Sequence, residues 1–367
     1  MAKIITTIGP SSESSEVLKY FVDHNVEYAR FNTSHNSIQW HIKTMLKARK
    51  FGLQILLDLA GPKVRLGNLS TPINLEGCAK VILEKESETK KYPFFTKFSN
   101  ANYLVLPIRH NIFDSIKNSD SVLIDDGKVE LEVENSYENF CTCYVQQGGL
   151  VSSGKSINFP DSDINIDFLT SRDKEFLQAI IPIVHPEVIS ASFIQNPEQI
   201  DTLNRYIIKI LQDNQLYDYE PKICSKIEKS SALKNQNLNR IVAKSDFVMV
   251  ARGDLALETK PLHLMVPFYQ ETIKNVTHAK HKKLIIATQI LESMVLSKTP
   301  TRAEISDLYR AIVSNQAEYV MLSAESATGK NPKEAVKVIS DLLSHYKKLQ
   351  IKANSLESSK FFLSFRH

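Results

Sequence analysis

The 367 residues are 43% hydrophobic and 23% charged, enough apolar material for a sizeable core and enough length for two or three domains or one large barrel with an insertion. A formal net charge of only +4, with no long run of basic residues, excludes a nucleic-acid face that reads phosphates along a basic stripe. Nothing approaches the ~18 consecutive apolar residues of a membrane helix, and the start MAKIITTIGP lacks the apolar core and cleavage site of a signal peptide. A soluble cytoplasmic protein is expected, with no nucleic acid and no membrane among its partners. Cys78, Cys141, Cys143 and Cys224 include no C-x-x-C pair, and C-x-C on a strand puts two side chains on one face. These read as reduced thiols.

In chain order, a β-branched run at Lys3 to Ile8 ends in Gly9-Pro10, and a capped helix follows from Ser14 to Asp23. A second strand, Val26 to Phe31, ends in Asn32-Thr33-Ser34-His35. Ser37 to Lys50 reads as helix, and Gln54 to Leu57 is a third strand ending at Asp58. Strands alternating with helices of this length imply parallel βαβ units. The alternation breaks at Gly61-Pro62. Residues 62–165 hold short strands with turn signals, at Cys78 to Lys85, Ser121 to Ile124, Lys128 to Val133 and Phe140 to Gln146, with Asp125-Asp126-Gly127 as a hairpin turn. This is an inserted β lid domain.

Alternation resumes with a helix at Ser171 to Ile181. Strands follow at Val188 to Ser192, Lys222 to Lys226, Asp246 to Val250, Leu284 to Ala287 and Tyr319 to Leu322. Helices are expected over Leu262 to His281, Arg302 to Asn315 and Pro332 to Leu349. Three strands before the insertion and five after it make eight. The fold class is therefore α/β, a (β/α)8 TIM barrel with a small β-barrel lid inserted after the third strand; a doubly wound open sheet is the rival. The barrel takes residues 1–61 and 166–349, the lid 62–165, and 350–367 form a short tail.

Catalytic groups in such a barrel sit at the C-terminal ends of the strands. Here those ends carry Arg30 and Asn32, Asp58, Ser192, Lys226 and Glu228, Arg252 and Asp254, Thr288 and Gln289, Ser323 and Glu325. Each alone is an ordinary turn residue, but seven such ends converging on one face form a site. Cations mixed with carboxylates suit a substrate bearing phosphate or carboxylate, bound with a divalent metal. Lys226 and Glu228 lie two apart on an extended chain and so face the same side. Glu228 and Asp254 are hard donors suited to Mg²⁺, and Lys226 beside them is placed to stabilise charge on a transferring group. The plain alternative is a Lys–Glu ion pair and a turn Asp. Gly149 to Ser156 matches the P-loop pattern G-x-x-x-x-G-K-S/T, but Ile157-Asn158-Phe159-Pro160 cannot open the helix that a P-loop needs. Lys155 is then a lid lysine that reaches phosphate.

Ordered blocks from Lys3 to about residue 345 resemble the pyruvate kinase family. They are Thr7-Ile-Gly-Pro10, Ala29-Arg-Phe-Asn-Thr-Ser-His35, Leu57-Asp-x-x-Gly-Pro62 with Arg65, Ile124-Asp-Asp-Gly127 and Ala191-Ser-Phe-Ile194. Ser225-Lys-Ile-Glu228, Met249-Val-Ala-Arg-Gly-Asp-Leu255, Ala287-Thr-Gln-x-Leu-Glu-Ser-Met294, Pro300-Thr-Arg-Ala-Glu304 and Met321-Leu-Ser-x-Glu-Ser326 continue the series. The resemblance implies transfer of the phosphoryl group of phosphoenolpyruvate to ADP, giving pyruvate and ATP. It implies Mg²⁺ or Mn²⁺ on Glu228 and Asp254, Lys226 and Arg30 at the phosphoryl group, and Gly253, Asp254 and Thr288 at the carboxylate, with Thr288 where the enolate is protonated. Nucleotide contacts are implied for Pro10, Asn32, His35, Arg65 and Lys155, with Asp126 closing over the site and Trp40 as an aromatic platform.

Departures from the family pattern are Ala256 and Ala324 in place of glycines, Asn36 in place of the Gly after His35, Gln195 for an Arg and Thr328 for a Lys. A catalytically weakened phosphoenolpyruvate- or pyruvate-binding paralogue is the alternative that they raise. The family's monovalent-cation region corresponds to Asn32, Ser34 and Asp58. Gly61-Pro-Lys-Val-Arg65 carries Lys63 where most members have Glu, with Leu59 and Leu66 in place of Thr. That pattern resembles the branch that works without K⁺, so K⁺ is not expected to be required. With no regulatory domain expected after the barrel, sugar-phosphate activation is expected to be absent and the assembly to be a homodimer through the barrel.

Overall fold

A computed structural model describes residues 2–98, 101–164, 166–234, 236–259 and 262–364. Eight strands, Lys3–Thr7, Val26–Asn32, Gln54–Asp58, Val188–Ala191, Lys222–Ile227, Phe247–Ala251, Lys283–Ala287 and Tyr319–Leu322, close into a barrel. All neighbours are parallel, and the first strand pairs with both the second and the eighth. The open-sheet rival is thereby removed.

The strands are near-continuous apolar runs because both of their faces are covered. Alternate residues divide between two cores. Ile4, Phe31, Leu57, Ile189 and Val248 face the surrounding helices, whereas Ile5, Tyr28, Leu56, Cys224 and Phe247 fill the interior. Tyr28, Phe247 and Tyr319 meet at ring-centroid distances of 5.6 to 6.1 Å inside the barrel. The same two-residue period carries the interior positions forward to Arg30, Asn32, Asp58, Lys226 and Glu228. Register levels them: Asn32 lies opposite Asp58, and Asp58 opposite Ser190.

The insertion has its own apolar cluster, which includes Leu83, Leu106, Val122, Leu131, Cys141 and Cys143. Its seven-stranded sheet runs from Ile157–Asn158 through Ser121–Ile124, Val129–Ser136, Phe140–Gln147, Lys80–Lys85 and Ala101–Ile108 to Phe94–Phe98. Isolated bridges Arg65 to Ser156 and Leu66 to Ile108 join its margins. Cys141 and Cys143 do share a face, with sulfurs 3.7 Å apart, and all four cysteines are free thiols. At the root of the lid Gly61 has φ +66°, and a Cβ there would stand 2.9 Å from Ser192 Cβ, so only glycine fits. Asp173, which completes a capping box with Thr170 at the start of the helix Ser171–Val184, also accepts the Ala60 and Gly61 amides at 3.0 and 3.3 Å.

Several helices differ from their expected extents. The stretch expected as one helix over Leu262 to His281 is a 3₁₀ turn, a π segment Met265–Gln270 and an α-helix Glu271–Ala279. Pro267 lies in the π segment and has no N–H to give to an α-helical ladder. The helix after Thr301 likewise turns to π geometry at Arg310–Ser314. The last helix runs Pro332–Ser364, so the expected separate tail from residue 350 continues that helix as far as it is described. No helix among the described residues is long and apolar enough to cross a membrane.

Candidate active site

Arg30, Asn32, Lys63, Lys226, Glu228 and Asp254 open on one cavity of about 250 Å³ at the C-terminal end of the barrel. Ser34, His35, Arg65, Ser192, Gly253 and Thr288 also line it. A larger groove of about 850 Å³, at the opposite end beside Lys3 and the last helix, lacks such a convergence of charge.

Lys226 is 8% exposed, and its ammonium touches Ser192 Oγ at 2.7 Å, Glu228 Oε1 at 3.1 Å and Asp58 Oδ1 at 3.4 Å. Burial pulls the lysine pKa down, but Asp58 and Glu228 outweigh it and the net shift is upward. Asp58 is fully buried, yet Lys226 and Arg30 hold its carboxyl below the ordinary range. Arg30 reaches Asp58 Oδ2 through Nε at 2.7 Å and Nη2 at 2.5 Å, and its Nη1 donates to Thr7 Oγ1 at 2.8 Å. Asp58, expected in the monovalent-cation region, is thus already engaged by two cationic side chains. Asn32 Oδ1 in that region accepts the Ser34 amide at 3.0 Å.

Glu228 Oε2 accepts the Phe193 amide at 2.7 Å, which aims the other oxygen at Lys226. Burial raises the Glu228 pKa, and the charge of Asp254 adds to it against the pull of Lys226. Asp254 moves the other way: burial would raise it, but Lys63, 2.7 Å from Oδ1, holds it down. The Lys63 ammonium lies on the cavity shared with Asn32 and Ser34, and there it pairs with Asp254.

Other predicted residues are redistributed. Arg252 is not a cation of the site. It begins a short helix, Arg252–Glu258, and turns away to bond the Thr288 and Gln289 carbonyls and Asp307 at 2.6 to 3.1 Å. Glu325 accepts the Leu291 and Ser323 amides and braces two loops. The Gly253 amide, expected at the substrate carboxylate, donates to Thr288 Oγ1 at 2.8 Å. Thr288 is held at φ +67°, a costly conformation for a β-branched residue. Phe193, on the same cavity, is strained in the same sense at φ 57°, whereas Asp126 in the lid turn adopts φ 58°, which Asp tolerates.

Pro10 is exposed and is not among the cavity's lining residues. Lys155 pairs with Asp125 at 2.8 Å across the lid turn, and Ser156 Oγ donates to Asp126. No helix follows Ser156, so the P-loop pattern is coincidental. Trp40 is half-buried and tied through Nε1 to Glu13 at 2.6 Å. Desolvation, then Arg65, Arg30 and Arg172, lowers the pKa of His35 and favours its neutral form. Asn36 adopts φ 60°, which Asn tolerates, while Ala256 and Ala324 lie in short helices outside the left-handed region.

Two groups escaped the sequence reading. Phe193 acts through its backbone amide, which leaves no mark on residue type. Asn158 sits 3% exposed between Asp254 and Glu258, and its local sequence, Ile157-Asn158-Phe159-Pro160, speaks only against a helix.

An α/β barrel with an inserted β lid and a charged cavity at its C-terminal mouth is the class that fold and site define. The chain matches the pyruvate kinase barrel-domain family over residues 1–336. It is 34% identical to a pyruvate kinase of Thermotoga maritima, over 92% of this chain and 69% of that protein. It is 32% identical to one from Chlamydia muridarum, over 94% and 69%. A solved structure of a pyruvate kinase from Cryptosporidium parvum superposes with a TM-score of 0.83 at 29% identity, covering 92% of this chain and 68% of that one. The chain belongs to the pyruvate kinase family, and it is a phosphotransferase.

Proposed function

We propose that this chain transfers the phosphoryl group of phosphoenolpyruvate to ADP in the barrel mouth, with Lys226 as the central catalytic group. The observation that carries the assignment is the buried Lys226 ammonium between Asp58 and Glu228, opening on the same cavity as Arg30 and Asp254. Glu228 and Asp254 fit a divalent cation. Both are hard oxygen donors on that cavity, and two carboxylates leave room for the waters and substrate oxygens that Mg²⁺ keeps. When bound, Mg²⁺ or Mn²⁺ supplies Lewis-acid charge where negative charge develops on substrate oxygens.

The remaining roles belong to the protein. Arg30, braced by Asp58 and Thr7, binds the phosphoryl oxygens. A terminal ADP oxygen forms the new bond to phosphorus while the bond to the enol oxygen breaks. Lys226 stabilises the charge left on the enolate, and the preorganised cage around it needs no rearrangement in the transition state. Thr288, whose Oγ1 accepts from Gly253 and so leaves its own proton free, holds a water that gives a proton to the enolate carbon, the proton being replaced from solvent. Asn32, His35 and Arg65 hold the nucleotide phosphates, and the lid residues Asp126 and Lys155 close over them.

Independence from K⁺ belongs to the same reading, carried by the Lys63 ammonium that the chain itself holds on the cavity. The setting for these substrates is cytoplasmic. A coupled assay with phosphoenolpyruvate, ADP and Mg²⁺, in sodium buffer with KCl titrated in, tests both parts. Pyruvate formation that needs Mg²⁺ but rises less than twofold with K⁺ is the expected result. No turnover by the folded wild-type protein would refute the assignment, and a tenfold rise with K⁺ at constant ionic strength would refute the Lys63 role.

A further inference from the structure

The two chain crossings between barrel and lid meet at one carboxylate. Lys63, just after the Gly61 turn where the chain enters the lid, donates to Asp254 Oδ1 at 2.7 Å. Asn158, on the strand by which the chain leaves the lid, directs Nδ2 to the same oxygen at 3.4 Å and to Glu258 Oε1 at 3.1 Å. Glu258 follows Asp254 by one turn of the helix Arg252–Glu258, and its Oε1 also accepts from Lys229 at 2.7 Å. The Asn158 amide therefore bridges a carboxylate of the cavity to one anchored beneath it.

The orientation of that amide follows from its neighbours. Reversing it would aim an oxygen at two carboxylate oxygens. As it stands, Asn158 Oδ1 is buried and accepts no hydrogen bond from the described residues. An unpaired buried carbonyl is destabilising, so the position is poor for packing alone and good for donation. The Asn158 backbone is fixed by the lid, opposite Leu123, with Ile157 opposite Ile124. The adjoining Ser156 carbonyl accepts the Asp125 amide at 3.0 Å. The donor thus moves with the turn Asp125-Asp126.

We propose that Asn158 is a positioning residue through which the docked lid orients Asp254 for the divalent cation. The inference rests on the reading of Asp254 as a ligand of that cation. Asp254 has two partners of different charge. A divalent ion at this carboxylate repels the Lys63 ammonium that holds the same oxygen, so Lys63 yields when the ion binds. The neutral Asn158 amide meets no such repulsion and keeps the carboxylate in place in both states. Because the lid carries the donor, Asp254 is properly aimed only while the lid is docked.

The test is Mn²⁺ binding to the full chain, measured from the electron paramagnetic resonance signal of free Mn²⁺ without substrates. Asn158→Ala should raise the Mn²⁺ Kd about 10- to 100-fold, as loss of a partner to a metal ligand does. Its thermal midpoint and tryptic pattern should confirm that the lid remains folded. Its kcat should fall at limiting Mn²⁺ and return toward wild type at saturating Mn²⁺, a rescue that a purely structural defect would not show. Glu258→Gln, which loosens the lower end of the bridge together with the Lys229 pair and leaves the Asp254 end in place, should leave the Mn²⁺ Kd within about twofold of wild type. Wild type that binds Mn²⁺ alongside an Asn158→Ala variant that binds it equally well overturns the positioning role alone. Equal weakening by Glu258→Gln shows that Asn158 merely docks the lid and overturns the role as well. Wild type that binds no Mn²⁺ overturns the divalent-ligand reading, and this inference with it.

Discussion

Replacing Lys226 with Met keeps most of the side-chain volume and removes one charge from a buried cage. In the cage of directly paired groups, Lys226, Arg30 and Lys63 offset Asp58, Glu228 and Asp254, while Arg65 on the same cavity donates to the Gly154 carbonyl. Without Lys226 the cage carries one net negative charge. At separations of 3.1 and 3.4 Å and an effective dielectric of about 20, each lost attraction is of the order of 5 kcal/mol before desolvation. Desolvation offsets much of this, and breaking a buried pair typically costs about 3–5 kcal/mol. Asp58 retains Arg30, so the burden falls on Glu228, whose pKa is already raised by burial and by Asp254.

The variant relieves that burden by protonating Glu228, and the sign follows. A carboxyl with a raised folded pKa binds its proton more tightly folded than unfolded, and its relative stability falls as pH rises from the unfolded toward the folded value. Lys226→Met raises the Glu228 value further. Its deficit against wild type should therefore be small below the ordinary carboxyl value and grow as the pH is raised beyond it. Urea midpoints at pH 5 and pH 8 measure this. Catalysis should fall by ~10²–10³-fold or more, since one preorganised cation at developing charge is lost. Turnover within a factor of a few of wild type, or a stability deficit independent of pH, would refute the reasoning.

Other perturbations separate the remaining roles. Asp254→Asn should weaken Mn²⁺ binding at least ~10-fold and free Lys63 from its pair, and unchanged Mn²⁺ titration would show that the divalent ion sits elsewhere. Lys63→Glu should create a K⁺ requirement, read as a rate that rises with KCl against a tetramethylammonium control; a flat titration would show that Lys63 does not stand in for the ion. Arg252→Ala should destabilise the fold by about 2–4 kcal/mol in urea, because three bonds from a buried guanidinium to loop carbonyls and a half-buried ion pair go together. A wild-type urea midpoint would place Arg252 outside the frame. Asp58 has a depressed folded pKa, so its contribution is present above its unfolded value and disappears as pH falls through the folded one. Asp58→Asn should be less stable near neutrality and approach wild type in acid, and a constant gap would contradict this.

Much of the barrel was legible because its signals are local. Each strand is a short apolar run with two-residue alternation, and the alternation that places Tyr28 and Cys224 inside also places Arg30, Lys226 and Glu228 at the inner mouth. The change of texture after Gly61-Pro62 located the lid for a similar reason: strand-and-turn chemistry differs visibly from helical periodicity. The turn at Gly61 and the tolerance of Asn36 for positive φ were likewise written in residue type.

Residue type could not say which way a long side chain turns. Arg30 and Arg252 both stand at strand ends, yet one meets Asp58 in the cavity and the other meets loop carbonyls and Asp307 behind it. Lys63 was recognisable as an extra charge, but its choice of Asp254 depends on how the lid folds back. Asn158, nearly a hundred residues from Asp254 along the chain, gave no local sign of that partnership. Strand period and turn chemistry act over a few neighbours, so the eight βα units and the break in texture at Gly61-Pro62 can be read along the chain. Which charges share a desolvated cage is a matter of pairing between distant segments, set by barrel register and lid docking.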